Sequence, residues 1–341
     1  MTTVLSNMQL INQHKDTLQK FIQSKTVGDI LNKLKPTHRE LLDLPLTSTM
    51  EEAFDLLLAE DILSVPIYHK EGNEKKYVAI VSALDLLKLL STKVSVETLQ
   101  TNSDTLLMPL SEAISISEPL TVLKSTDSLD QLLSLLSVEK VHRVLVQEST
   151  SRLVLLSQMD LIRFFQANNH HIGSGMLDLS VDKIKSSGIR SSLNFKSTAA
   201  EAFLKLAADD TISALPIVDD NNDLIGEISA QDLRGLNRNR WGSLMKPVVM
   251  YLKASHGDLY APLTCHDRFT LSQVMSAFVL RKTHRLWWMN YETGELKGVI
   301  TLTDILCSWA FPKPKFSYLI VLRFYRGQLS WVLGDHLLGA S

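Results

Sequence analysis

One arrangement of apolar and polar positions returns four times along the chain. A short β-type apolar run leads into Ser or Thr, then two residues, then Asp, and then an apolar run of helical period. The copies are AIVSALDLL (79–87), LLSQMDL (155–161), GEISAQDL (226–233) and GVITLTDIL (298–306). Their hydroxyl residues stand at 82, 157, 229 and 301, so successive copies are 75, 72 and 72 residues apart, the regularity of an internal repeat.

Upstream of each copy the period is helical, as at Ala53, Phe54, Leu56, Leu57 and Leu58 or at Ala202, Phe203, Leu206 and Ala207. Each helix predicts a following strand, at 65–68, 144–146, 215–218 and 286–289, before turn-forming residues such as Gly72-Asn73, Asp219 to Asn222 and Thr293-Gly294. The unit is therefore β-α-β-β-α, and the fold class is α+β. One such unit leaves a sheet face bare, so the four are expected to pair in tandem as two modules, repeats 1 with 2 and 3 with 4. The pattern divides the chain into an N-terminal helical extension (1–26), repeats at 27–90, 91–167, 181–240 and 241–310, and a tail (311–341) that continues no repeat. A polar linker (168–180) separates the modules; its Gly173-Ser174-Gly175 lacks the preceding strand and the Lys-Ser/Thr ending of a phosphate loop and reads as a hinge.

At 45% hydrophobic the chain has ample material for a core, and 35 basic against 37 acidic residues leave a formal net charge of −2. No bulk electrostatic footprint points to nucleic acid or an anionic membrane, so any basic site must be local. Two cysteines, Cys265 and Cys307, fit a reducing compartment, which predicts the cytoplasm, with the nucleus as a second location. The N-terminus lacks the apolar core of a signal peptide, and Tyr318 to Leu322 is far too short to span a bilayer, so a soluble protein is expected. His170-His171 and Cys265-His266 lack two further ligands at zinc-site spacing, and no metal or cofactor is expected. No nucleophile with a partnered base emerges, nor a span for a catalytic domain, which predicts a non-enzyme. Trp287-Trp288 reads as strand packing.

Two motifs carry candidate chemistry. In the first, Ser82, Ser157, Ser229 and Thr301 are N-caps, and Asp85, Asp160, Asp232 and Asp304 complete capping boxes. The same carboxylates, at strand-to-helix junctions, are suited to accept ribose hydroxyls, while helix N-termini favour anions. The second motif occurs only in the even repeats, in KVHRVLV (140–146) and KTHRLWW (282–288). There His142-Arg143 and His284-Arg285 sit where helix gives way to strand, and guanidinium forks with imidazoles make a phosphate site. The plainer alternative is that each pair caps the preceding helix and meets a surface acid. The odd repeats have Leu63-Ser64 and Ser213-Ala214 there, a base or ribose wall. Thr49, Thr126 and Thr198 precede the first helices as expected caps.

At these repeats the sequence resembles CBS-domain proteins. Four repeats with His-Arg in the second and fourth, TISALPIVDD (211–220) and KTHRLWW followed by GVITLTDIL are similar to the γ subunits of AMP-activated protein kinase and its sucrose-non-fermenting relatives; LLSQMDLIRFF (155–165) is similar to the plant γ-like group. The resemblance covers about residues 27–310. It implies a flat disc of two modules with nucleotide clefts between repeats, binding AMP, ADP or ATP. It also implies ribose contacts at Asp85, Asp160, Asp232 and Asp304 and phosphate contacts at His142, Arg143, His284 and Arg285. The implied partners are the catalytic α subunit and the β subunit of a sucrose-non-fermenting-related kinase, and the implied role is regulatory. Leu63 and Met159 stand where the animal γ subunits carry Arg and Lys, and Asp160 where they lack Asp. A ligand-independent scaffold that binds a kinase or another partner is the alternative.

Overall fold

The computed structural model describes residues 7–310, apart from 38, 96–97, 99–101, 119, 139–140, 150–151 and 185, together with the strand pairs 324–325 and 328–329. The rest of the tail set apart at 311–341 lies outside the described residues.

The chain opens with helices α1 (Asn7–Gln23) and α2 (Val27–Leu34). Repeat 1 then runs β1 (Leu44–Pro45), α3 (Met50–Ala59), β2 (Ser64–Glu71), β3 (Glu74–Ser82) and α4 (Ala83–Ser91). β1 lies parallel to β2, and β2 pairs antiparallel with β3. Repeat 2 copies this order with β4 (Val122–Lys124), α5 (Leu129–Leu136), β5 (Arg143–Ser149), β6 (Arg152–Ser157) and α6 (Gln158–Ala167). After one helical turn, α7 (Ser174–Leu177), and a short strand, β7 (Ser187–Gly188), repeat 3 has β8 (Leu193–Asn194), α8 (Ala199–Ala208), β9 (Ala214–Val218) and β10 (Leu224–Ser229). Helix α9 (Val248–His256) leads to repeat 4, with β11 (Thr264–His266), α10 (Leu271–Arg281), β12 (Arg285–Met289), β13 (Leu296–Thr301) and α11 (Leu302–Trp309).

Repeat 3 departs from the expected unit at its end. Its last helix is only a 3-10 turn, Ala230–Leu233, because the chain turns away at Gly235, whose φ is +71°. The Gly235 N–H donates to the Phe54 carbonyl at 2.8 Å, and a Cβ there would stand 2.4 Å from Leu58 Cδ2. A side chain there would have to push Leu58 aside and adopt a left-handed backbone that L residues rarely take.

Two hydrophobic clusters hold the molecule. One gathers repeats 1 and 3, with Phe54, Leu57, Leu86 and Leu90 against Phe203, Leu206, Leu215 and Trp241. The other gathers repeats 2 and 4 with the N-terminal helices, joining Leu18, Ile22, Ile30 and Phe165 to Phe278, Ile305 and Trp309. Each fully buried Leu, Ile or Phe contributes about 1.5–3 kcal/mol, so these clusters dominate stability. Within the tandem pairs the connection is different: the entry segments are exchanged. Val27 and Gly28 donate to the carbonyls of Asp127 and Ser125 in repeat 2, while Met50 of repeat 1 donates to Met108 and Leu110 donates back to Ser48. In the second pair, Val181 donates to Phe269 and Leu271 to Leu179, and Ala199 donates to Lys246 and Val248 to Ser197. Backbone exchange thus ties 1 to 2 and 3 to 4, and apolar helix faces tie the two pairs together.

The linker is not the expected hinge. Ile172 and Met176 are buried in the second cluster, and His171 stacks on Phe21 with centroids 4.3 Å apart. Gly173, at φ +83°, only turns the chain between two anchored side chains.

Candidate functional site

The sheet register brings the two motifs together. In every repeat the first residue of the second strand faces the motif hydroxyl across an antiparallel pair: Ser64 opposite Ser82, Arg143 opposite Ser157, Ala214 opposite Ser229, and Arg285 opposite Thr301. Each hydroxyl residue then turns the strand into a helix or helical turn. In all four, the Asp carboxylate accepts the N–H of its Ser or Thr and the hydroxyl as well, at 2.6–3.2 Å. The capping reading therefore holds in every copy; such a cap contributes about 0.5–2 kcal/mol. Thr49 and Thr198 also cap as expected, whereas Ser128, not Thr126, caps α5, because the chain enters helical geometry two residues later.

All four repeats open onto one shared cavity of ≈820 Å3. Its wall includes His142, Arg143, His284 and Arg285, together with Ser82, Ser157, Ser229, Thr301, Asp85 and Asp304. Leu63, Met159, Ser213 and Ala214 complete the wall between them. Asp160 and Asp232 are not on it. Lys35 Nζ lies 3.3 Å from Asp160 Oδ2, and His256 Nε2 bonds Asp232 Oδ1 at 2.8 Å. The repeat therefore places four equivalent carboxylates, and tertiary neighbours cover two of them.

The cavity is strongly charged, and the charges shape one another. Burial pushes the Asp85 carboxyl up to about 6, with the nearby charge of Glu118 adding to the rise and Lys88 opposing it. Burial pushes the His284 imidazole down to about 3, helped by Arg285, Arg143, His142 and Arg163. His284 is consequently neutral near pH 7, and the two His-Arg pairs are close enough to repel each other's protons. Glu118 experiences the reverse: burial raises its carboxyl, but the hydrogen bond and charge of His142 and the charge of Arg143 outweigh it and hold it below the ordinary range. Arg285 is 9% exposed, 3.8 Å from Glu227 Oε1 and within 3.5 Å of the Ser213 hydroxyl. The arrangement offers cationic and hydroxyl donors to an anion and carboxylates to a vicinal diol, with Trp287 as an aromatic wall.

Several wall residues escaped the sequence reading. Lys88, three residues beyond Asp85 on the same helix face, reaches the cavity and bonds Asp210 of repeat 3 at 2.6 Å; the i+3 spacing was a usable signal. Arg190 and Glu118 come from the segments that lead into the first strands of repeats 3 and 2, where no motif marks them. Gln158 is buried and donates to the Leu136 carbonyl and to Thr303 Oγ1 at 2.9 Å, joining repeats 2 and 4. Trp287 is buried in β12 with its indole N–H on Glu227, and Trp288 donates to Asp267, so both serve as strand packing. Among the described residues, no group of three or more His, Cys, Asp or Glu could hold a metal, and no helix is long and apolar enough to cross a membrane.

Comparison with known proteins bears on the repeats that build this cavity. The CBS domain family matches residues 27–92 and 192–237. The SNF1-related protein kinase regulatory subunit gamma-like PV42b of Arabidopsis thaliana is 24% identical, over 79% of this chain and 90% of its own length. The 5′-AMP-activated protein kinase subunit gamma of Saccharomyces cerevisiae is 25% identical, over 85% of this chain and 92% of its own. Among solved structures, a Methanocaldococcus jannaschii protein described as a proposed archaeal homologue of γ-AMPK superposes with a TM-score of 0.63, covering 80% of this chain and 98% of that one. At 16% identity that likeness shows the fold alone. The chain thus carries CBS domains and is homologous, at low identity over most of its length, to the γ and γ-like regulatory subunits of the AMP-activated and SNF1-related protein kinases.

Proposed function

We propose that the protein is a non-catalytic, γ-like regulatory subunit that binds an adenine nucleotide in the shared cavity and reports its occupancy to a Ser/Thr kinase of the SNF1-related type. The observation that carries this reading is the convergence of His142, Arg143, His284 and Arg285 with Asp85 and Asp304 on one ≈820 Å3 cavity. That volume lies within the range of small-molecule sites, about 300–1,000 Å3. The guanidinium and imidazole groups are suited to phosphate, and the two carboxylates to ribose hydroxyls. The names of the relatives, regulatory subunits of kinases and in yeast an AMP-activated one, support the same role; the partners that go with this reading are the catalytic α subunit and the β subunit of such a kinase. Calorimetric titration of the purified protein with AMP, ADP and ATP tests it, with the His142→Ala/His284→Ala double variant as control. Saturable binding lost in the control supports the reading; no binding to the wild type overturns it.

One observation favours a ligand-independent scaffold. The chain supplies its own partners to several of the groups a nucleotide would use: Glu118 to His142 and Arg143, Lys35 to Asp160, and His256 to Asp232. A scaffold would bind its kinase partner unchanged across a nucleotide titration.

A further inference from the structure

The His-Arg pairs of repeats 2 and 4 are equivalent in sequence and unequal in surroundings. Glu118 sets Oε1 2.5 Å from His142 Nδ1 and 3.8 Å from Arg143 Nη1, while Oε2 accepts the His142 backbone N–H at 3.0 Å. Its side chain is 11% exposed and forms part of the cavity wall. The backbone of Glu118 bridges to Ile80 in β3, so the segment leading into repeat 2 is pinned against repeat 1 and holds this acid beside His142. In repeat 4 the acid near Arg285 is Glu227, which stands outside the cavity wall and is engaged by the Trp287 indole at 2.6 Å. The charges that act on His284 are all cationic. At one end of the cavity the acid beside the His-Arg pair stands on the wall itself; at the other, the acid beside Arg285 stands off the wall and is shared with the Trp287 indole.

We propose that Glu118 is a resident counter-anion that selects the ligand by charge: the cavity takes a ligand with one phosphoryl group at His284 and Arg285 and disfavours one with three. This rests on the nucleotide-binding reading and adds which member of the class is accepted. A polyphosphate long enough to reach His142 and Arg143 meets the Glu118 carboxylate, and Asp85, close enough to feel the charge of Glu118, is a second acid on the same wall. Displacing Glu118 does not relieve the repulsion, because a buried carboxylate stripped of its partners is itself strongly unfavourable. A single phosphoryl group at the repeat 4 pair avoids both effects.

The test titrates wild type and Glu118→Gln with AMP, ATP and inorganic tripolyphosphate by calorimetry. Gln keeps the size and an acceptor for the His142 N–H but removes the charge. The expected result is an affinity gain of about tenfold or more for ATP and tripolyphosphate, against less than about threefold for AMP. Equal gains for AMP and ATP, or no gain for either, overturn the proposal. If wild type binds no nucleotide, the nucleotide reading fails by itself, and tripolyphosphate still decides: a gain in Glu118→Gln upholds the counter-anion, and its absence refutes it. Should Glu118→Gln lose its circular-dichroism signature of folding, Glu118→Asp, which withdraws the carboxylate by one methylene, must shift the ATP-to-AMP affinity ratio in the same direction or the proposal falls.

Discussion

Lys35 Nζ sits 3.3 Å from Asp160 Oδ2 and 2.5 Å from the Leu155 carbonyl, so a lysine from the N-terminal segment pairs with the motif carboxylate of repeat 2. The contact spans the exchanged entry of repeat 1, which lays α2 on α6 and leaves the residue after α2 facing the second carboxylate.

Asp160→Ala is therefore expected to leave nucleotide affinity within about twofold of wild type while lowering stability by about 0.5–2 kcal/mol through the lost cap. Asp304→Ala, whose carboxylate lies on the cavity wall, is expected to weaken binding by about tenfold or more, as a charge-assisted hydrogen bond is lost. Calorimetry and thermal melts on the two variants check this; equal losses of affinity would mean that Lys35 yields to the ligand.

Burial raises the Asp85 carboxyl to about 6, above its ordinary value of 3.8. The folded state holds that proton more tightly than the unfolded chain, so its contribution is full below pH 4 and disappears as pH rises through about 6. Asp85→Asn keeps an acceptor for Ser82 and removes the titration. Wild type should lose about 1–3 kcal/mol relative to Asp85→Asn between pH 4 and pH 7, measured by denaturant unfolding across that range. Parallel curves would place Asp85 in contact with solvent.

His284 shows the opposite sign. Its imidazole is depressed to about 3, from 6.5, so the stability it confers is complete above pH 6.5 and is lost as pH falls toward 3. His284→Gln should flatten the acid limb of the thermal unfolding profile. A phosphoryl group bound beside the ring would raise its affinity for a proton, so binding at pH 6 should take up protons in wild type and not in His284→Gln. Calorimetry in two buffers of different ionisation enthalpy reads that uptake.

Gly235→Ala should destabilise the protein by about 2–4 kcal/mol, combining the strain of a left-handed backbone with overpacking against Leu58. The Leu58→Ala/Gly235→Ala double variant should recover part of that loss, the overpacking share, in a denaturant midpoint. Full additivity would move the strain entirely to the backbone.

Local physics made a large part of this protein legible in its sequence. The alternation of strand and helix periods, the hydroxyl-x-x-Asp boxes and their 72- to 75-residue spacing determined four β-α-β-β-α units, because periodicity and capping depend only on near neighbours. The His-Arg pairs were legible as polar residues at a helix-to-strand boundary, and register alone then set Arg143 opposite Ser157 and Arg285 opposite Thr301. What tertiary structure decided is which of these equivalent groups face the cavity and in what electrical state. Lys35, His256 and Glu118 reach Asp160, Asp232 and His142 from elsewhere in the chain, across exchanged segments, and nothing in their own sequence neighbourhood marks that destination. The shortened end of repeat 3 has the same origin, since Gly235 turns the chain onto Phe54 and Leu58, residues of another repeat. A repeated motif makes identical sites, and only the three-dimensional neighbours make them different.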